Sequence, residues 1–220
     1  MAVRKIPKNH LVVTGSFASS KNVHMDAFES LLEKEYMLLL DFDDQVERFD
    51  TQPITIPVPG ILKGYTPDVL VYYRPETSTG QRRKPLLTEI KHSDDLRRNA
   101  GKYEAKFAAA EKYALDSGWE FRITTETDIR TPKLANIKFL REYRNVAPAE
   151  KDIARVLSLM DDAGGRASPD RLIDQLADDI ADRLHWIPVI WHTVVTRQVN
   201  VDWDRLIDHH AILHLPKGVQ

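Results

Sequence analysis

Apolar and polar positions change period several times along this chain, and each change predicts an element. From Met25 the spacing is helical: Phe28, Leu32, Tyr36 and Leu39 fall on one stripe, widened by Leu31 and Leu38. Asp26 is the expected N-cap. Val46 to Val58 alternates as a strand, with prolines that imply an edge or a bend. Val69–Tyr73 and Leu86–Ile90 are β-branched, aromatic or aliphatic, and the polar, turn-rich Pro75–Lys84 between them gives the pattern of a hairpin. Asp94–Ser117 reads as one helix with Leu96, Tyr103, Phe107, Ala110 and Ala114 inward, weakened slightly by Gly101. Trp119, Phe121 and Ile123 alternate as a strand, and a shorter helix is expected over Pro132–Tyr143. The order α-β-β-β-α-β-α predicts an α/β domain with a mixed sheet.

At Val146–Glu150 the composition shifts, as in a linker. Helices are then expected over Asp152–Met160, from the Ser168-Pro169 start to Leu176, and over Asp178–Ile190. A β-rich Thr193–Trp203 follows, and Leu206–Leu215 closes the chain. Three short helices and a β segment suit a winged helix-turn-helix. The expected organisation is a basic arm over residues 1–22, an α/β domain over 23–146, and a small, mostly helical, winged-helix-like domain over 150–220.

Composition narrows the class. Hydrophobic residues make up 42% of the chain, enough for a real core. No run reaches the length of a membrane span, and the N-terminus lacks the apolar core of a signal peptide, so a cytoplasmic protein with no membrane partner is expected. The absence of cysteine excludes disulfides and thiolate metal sites. The formal charge is −2, but residues 82–112 hold nine Lys/Arg against five Asp/Glu, whereas residues 151–184 hold five against eight. The first two thirds can therefore face phosphate, and the next segment suits protein docking better.

Asp68 opens one strand of the hairpin, and Glu89 and Lys91 sit in the other. Alternation puts Glu89 and Lys91 on one face and turns Ile90 to the other. Two carboxylates and an ammonium on an exposed sheet edge would make a hard-metal site suited to Mg²⁺. Glu29 and Glu33 lie four apart on one side of the first helix. They read either as solvated residues or, for one of them, as a further ligand, and the spacing does not separate the two. Gln52-Pro53 reads as a turn or as an amide near DNA. Arg97, Arg98, Lys102, Lys106 and Lys112 read as a solvated face or as phosphate contacts. His209, His210 and His214 read as surface or core histidines in preference to a metal pair.

The Asp68…Glu89-Ile90-Lys91 spacing resembles the PD-(D/E)xK nucleases, a weak signal taken alone. With its flanks the chain resembles the TnsA family, the endonuclease subunit of heteromeric bacterial transposases. The matching residues are Phe17-Ala-Ser-Ser-Lys-Asn22, Phe28-Glu-Ser-Leu-Leu-Glu-Lys-Glu-Tyr36 with Leu40-Asp-Phe-Asp43, and Gln52-Pro53. They continue with Tyr65-Thr-Pro-Asp-Val-Leu-Val71, Leu87-Thr-Glu-Ile-Lys91, Ile129-Arg130 and Leu134-Ala-Asn-Ile-Lys138. The resemblance is close over about residues 14–145 and carries no sharp motif beyond them. It implies a restriction-endonuclease-like core and Mg²⁺-dependent hydrolysis, with Mn²⁺ able to substitute, at the 5′ ends of transposon DNA. It also implies two partners: a DDE-type transposase, TnsB, that cuts and joins the 3′ ends, and an AAA+ ATPase, TnsC, contacted through the C-terminal domain. Action in the cytoplasm, at the nucleoid, follows.

By the same resemblance the catalytic residues are Glu33, Asp68, Glu89 and Lys91, with Asp68, Glu89, Glu33 and the carbonyl of Ile90 as metal ligands. Some members carry Gln at the Glu89 position. Glu33, rather than Glu29, matches the family's helix glutamate. Candidate DNA contacts are Lys21, Gln52, Arg82, Arg83, Lys84, Arg97 and Arg98. A stand-alone restriction or repair nuclease and a nuclease-inactive DNA- and protein-binding adaptor remain as alternatives. Retention of the Asp68/Glu89/Lys91 set counts against the adaptor.

Overall fold

The computed structural model describes residues 13–216, which form two compact units dividing between Arg130 and Thr131. The first twelve positions of the expected arm lie outside the described residues. Its remainder is anchored: β1 (Gly15–Phe17) pairs antiparallel with β2 (Asp26–Phe28). Asp26 therefore does not start a helix. It is buried in β2, where its carboxylate accepts from Asn22 Nδ2 at 2.7 Å. Helix α1 (Leu31–Phe42) begins at Ser30, whose hydroxyl accepts from Glu33 N.

The first unit is built on four strands in the order β3 (Val46–Thr51), β6 (Val69–Tyr73), β7 (Leu86–Ile90), β8 (Glu120–Thr124). Between β3 and β6 a small antiparallel pair intervenes, β4 (Ile56–Val58) with β5 (Ile61–Tyr65). The expected single strand Val46–Val58 is broken at Gln52, which takes a left-handed φ of 45°, and at Pro53. The β6–β7 hairpin forms in the register Val69↔Thr88, Leu70↔Leu87, Val71↔Leu86. β7 and β8 are parallel, which requires a crossover, supplied by α2 (Ser93–Arg98) and α3 (Ala100–Asp116). These two replace the single helix expected over Asp94–Ser117, with the break at Asn99. Ile56, Val58, Tyr65, Leu70, Leu87, Ala110 and Ala114 form one core cluster, with Phe107 and Phe121 against it. Every residue of β7 is buried. The unit closes with α4 (Glu126–Ile129), whose Thr125/Asp128 capping box fixes the chain directly after β8.

The second unit contains α5 (Pro132–Leu140), a 3₁₀ turn (Arg141–Asn145), α6 (Glu150–Asp162), α7 (Pro169–Leu176) and α8 (Ile180–Val195). It starts ahead of the Val146–Glu150 stretch expected as a linker, because α5 and the 3₁₀ turn pack with α8. The Phe139 and Trp191 rings, for example, meet edge-on at 5.3 Å. Ser168 caps α7 as its sequence implies. The β-rich reading of Thr193–Trp203 is corrected: α8 runs through Pro188 to Val195, and no strand follows over residues 196–212. Pro188 deprives the carbonyl of Leu184, four residues back, of its helical donor, yet the helix continues past it. Thr193, Val194 and Val195 are buried, and that burial overrides their β propensity. The wing expected there is reduced to β9 (Arg166–Ala167) with β10 (Leu213–His214) and a bridge between Asn200 and His214.

One buried polar residue organises this second unit. Asn136 donates from Nδ2 to the carbonyls of Trp203 (3.1 Å) and Arg205 (2.7 Å) and accepts from Ile207 N at 2.8 Å. It thereby supplies partners to a segment that has no ladder of its own. Replacing Asn136 by Ala strands these groups, and the expected cost is on the order of 3 kcal/mol. Urea denaturation measures the loss, and hydrogen exchange should localise the added opening to residues 203–207.

Candidate active site

Continuing the β6–β7 register one step beyond Val69↔Thr88 sets Asp68 opposite Glu89, at the end of the ladder where the hairpin strands open. The backbone extends the pairing to this point, with Asp68 N donating to Thr88 O at 3.1 Å and Lys91 N to Thr124 O at 3.1 Å. A one-residue slip would turn Glu89 to the other face, so the hydrophobic pattern of the strands also sets the carboxylate pair. The expected exposed edge is corrected here: β7 lies between β6 and β8, and Glu89 is only 3% exposed.

The polar contacts converge. Asp68 Oδ2 accepts from Ile90 N at 2.7 Å, and Glu89 Oε2 accepts from the Tyr65 hydroxyl at 2.7 Å. Lys91 Nζ stands 2.7 Å from Glu89 Oε1, 3.0 Å from Ile90 O and 3.5 Å from Asp68 Oδ2. The ammonium thus touches three of the four groups that the resemblance implies as cation ligands, Glu33 being the fourth. Burial pushes the Asp68 carboxyl up from its ordinary range, and the Glu89 charge adds to this while Lys91 opposes it. Burial works against the Lys91 ammonium as well, but the charges of Asp68 and Glu89 outweigh it and keep the amine protonated.

Glu33 comes to this cluster from the first turn of α1. Its carboxylate accepts from Glu29 N and Ser30 Oγ, both at 2.8 Å. Burial raises its pKa, and it interacts electrostatically with both Lys91 and Asp68. Glu29 instead accepts from Gln52 Nε2 at 2.9 Å. The two glutamates that spacing alone left equivalent therefore have different surroundings.

A hard cation fits these residues. The donors are carboxylate and carbonyl oxygens, as Mg²⁺ prefers, and the buried Glu89 with the partly buried Asp68 already draws the Lys91 ammonium to itself. Asp68, Glu89 and the Ile90 carbonyl are the groups that would hold the ion, with Glu33 next in reach of the same field.

The candidate DNA contacts divide by position. Lys21 Nζ is half-buried and donates to the carbonyls of Asp43 and Val46 (2.8 Å to the latter), so it staples the chain after α1 to the start of β3. Gln52 is engaged by Glu29. Arg82, Arg83 and Lys84 lie on the hairpin turn at the opposite end of the strands from Asp68 and Glu89, roughly 15 Å away at strand rise. Of these, Arg82 pairs with Glu47 and Arg83 lies over the Tyr73 ring. Arg97 and Arg98 are exposed on α2, directly after Lys91, and both contact Asp94.

Two features were missed in the sequence. Tyr65 opens the Tyr65-Thr-Pro-Asp68 run and is buried with its hydroxyl on Glu89. Its position before the Pro-Asp pair was the available signal. Glu126 accepts from Ser93 N at 2.8 Å and from the Ser93 hydroxyl, which hold its carboxyl down to about 2 and fix the start of α2 just after Lys91. Nothing in the local pattern links Glu126 with Ser93 across thirty-three residues.

Two outcomes follow from this geometry. A hydrogen bond to a charged group contributes about 1.5–3 kcal/mol, so Tyr65→Phe is expected to slow DNA cleavage roughly tenfold or more while leaving the circular dichroism spectrum unchanged. Single-turnover cleavage rates check it. The second concerns pH. Asp68 binds its proton more tightly folded than unfolded, so in chelator its contribution to stability declines as pH rises above the unfolded pKa of about 4. Lys91, shifted upward, contributes throughout that range and is lost only at alkaline pH. Urea titrations at pH 5 and pH 8 should show a decline in the parent that Asp68→Asn flattens.

Comparison with known proteins places the same residues in a family. The model described as TnsA-like endonuclease N terminal matches residues 43–126, a span that contains Asp68, Glu89 and Lys91 and begins after Glu33. The model described as TnsA endonuclease C terminal matches residues 128–203. No individual curated protein matches the chain. The mixed sheet carrying the carboxylate pair and the two matches, which meet close to the division between the structural units, agree. The chain belongs to the TnsA endonuclease family, the nuclease subunits of transposases.

Proposed function

We propose that this protein hydrolyses one phosphodiester bond at each end of a transposon, on the strand that is not transferred, generating the 5′-end cuts of cut-and-paste transposition. The observation that carries the proposal is the convergence of Asp68, Glu89 and the Ile90 carbonyl on Lys91 Nζ at the open end of β7, inside the span matched by the nuclease family. Asp68 and Glu89 would hold Mg²⁺ with the Ile90 carbonyl, and Glu33 would complete the acidic set. When bound, the ion supplies Lewis-acid stabilisation of the phosphate and lowers the pKa of a coordinated water. Lys91 would release its hold on the carboxylates, orient the attacking water and stabilise charge on the phosphate as it develops. Tyr65 keeps the Glu89 carboxylate aimed at the site throughout. Arg97 and Arg98, on the α2 segment that leaves the site, are the basic residues best placed to meet the neighbouring phosphates.

The reading includes two protein partners: a DDE-type transposase of the TnsB kind for the 3′ ends and an AAA+ ATPase of the TnsC kind. The second unit is the proposed ATPase contact. Its support is the acidic balance of residues 151–184 together with Ile180 and Leu184, which stand exposed one turn apart on α8. The protein would act in the cytoplasm on nucleoid DNA, with Mn²⁺ able to replace Mg²⁺. No helix among the described residues is long and apolar enough to cross a membrane.

Mapping breaks on each strand of transposon-end DNA tests this. With the partner transposase and Mg²⁺, the parent should cut both strands, whereas Asp68→Ala should lose the 5′-end cuts and retain the 3′-end cuts. Cutting by the parent without its partner would favour a stand-alone nuclease. Unchanged 5′-end cutting by the variant would leave only an adaptor role.

A further inference from the structure

The second unit brings together a set of side chains with a different chemistry. Asp170 lies in the first turn of α7, and His209 and His210 lie on the irregular segment that leads into β10. Asp170 Oδ2 is 3.5 Å from His210 Nδ1 and 4.0 Å from His209 Nε2, and one ligand atom from each residue falls within 4.8 Å of the others. His214, which neighbours them in sequence, is not part of the group: it is held in backbone pairing with Arg166 and Asn200.

We propose that Asp170, His209 and His210 form a zinc site. With zinc–ligand bonds of about 2.0–2.1 Å, neighbouring donors of a tetrahedron stand roughly 3.3 Å apart. The carboxylate-to-imidazole separations are therefore already near binding distance, and small rotations of exposed side chains close the remainder. The backbone holds the arrangement together before any ion arrives. Asp170 N donates to His209 O at 3.1 Å, which ties the histidine pair to the start of α7. Asp208 shapes the turn beneath it, accepting from His210 N at 2.8 Å through its side chain and from Ala211 N at 3.1 Å through its carbonyl.

The donor set selects the metal. Two imidazole nitrogens and one carboxylate suit Zn²⁺, whereas an all-oxygen set such as Asp68, Glu89 and the Ile90 carbonyl suits Mg²⁺. Three protein ligands leave one position of the tetrahedron for water or for a donor from a partner. His210 also lines a cleft of about 530 Å³ with Arg166, Asp202 and Arg205. The bound ion would pin the loop before β10 to α7. This inference is independent of the nuclease reading, because none of its residues takes part in the carboxylate site.

The test uses the full chain, stripped with a chelator and returned to excess Mg²⁺. Zn²⁺ is titrated by calorimetry, and Co²⁺ is titrated by visible absorption to report coordination geometry. The expected result is one equivalent of Zn²⁺, an intense tetrahedral Co²⁺ spectrum, and a rise in Tm with Zn²⁺. The double variant His209→Ala/His210→Ala should weaken binding at least tenfold, and Asp170→Asn, which preserves shape at the helix start, should weaken it as well. Asp68→Ala should bind as the parent does. Absence of binding in the parent, equal binding in the histidine variant, or loss of binding only in Asp68→Ala would each overturn the proposal. The last result would place the zinc at the carboxylate site.

Discussion

The structure depends on holding two acids side by side in a largely buried position. Asp68 and Glu89 face each other across adjacent strands, and Glu89 is almost fully enclosed. Like charges on facing strand positions, largely removed from water, resist ionising together. A single ammonium, Lys91, lies against both carboxylates, and its amine stays protonated because of them. Because the one ammonium serves two carboxyls, burial and the Glu89 charge still push the Asp68 carboxyl up from its ordinary range. A well-packed apolar pair would be easier to bury, so the acids are what the proposed cation-binding role would explain.

The rest of the first unit keeps this arrangement from relaxing. β7 is paired on both sides, so neither Glu89 nor Lys91 can shift along the sheet without breaking two ladders. Tyr65, set in the core by Phe107 at 6.3 Å, fixes one oxygen of Glu89. Ile90 N fixes one oxygen of Asp68. Glu126 secures the chain where it leaves the site, and Ser30, by capping α1, sets the turn from which Glu33 projects. Each of these is a hydrogen bond from a rigid element to a group whose direction matters, which is how a scaffold pre-organises charge.

The second unit follows another principle. Its centre is a neutral amide, Asn136, that substitutes for missing secondary structure across residues 203–207. Acid–base pairs join its helices, His185 of α8 with Asp152 of α6 and Arg183 of α8 with Asp174 of α7. Of these, the Arg183–Asp174 pair is solvent-exposed at both ends and contributes little stability.

Local pattern alone determined much of the first unit. Alternation placed Glu89 and Lys91 on one face of a hairpin strand, and the Ser168-Pro169 start of α7 was equally legible, because both depend only on near neighbours. Tertiary structure decided whatever required comparing distant segments. Phe28 continues a helical stripe, yet β1 is available to pair with it, so Asp26–Phe28 becomes a strand. Thr193–Val195 has strand residues but lies buried in a helix that continues through Pro188. Spacing made Glu29 and Glu33 equivalent, and Gln52 engages only one of them. Lys21 carries the charge of a phosphate contact but is used on two backbone carbonyls, and Asp170 reaches His209 and His210 across some forty residues. Periodicity records which face a residue occupies. What it meets there is settled by long-range register and burial, which no local window contains.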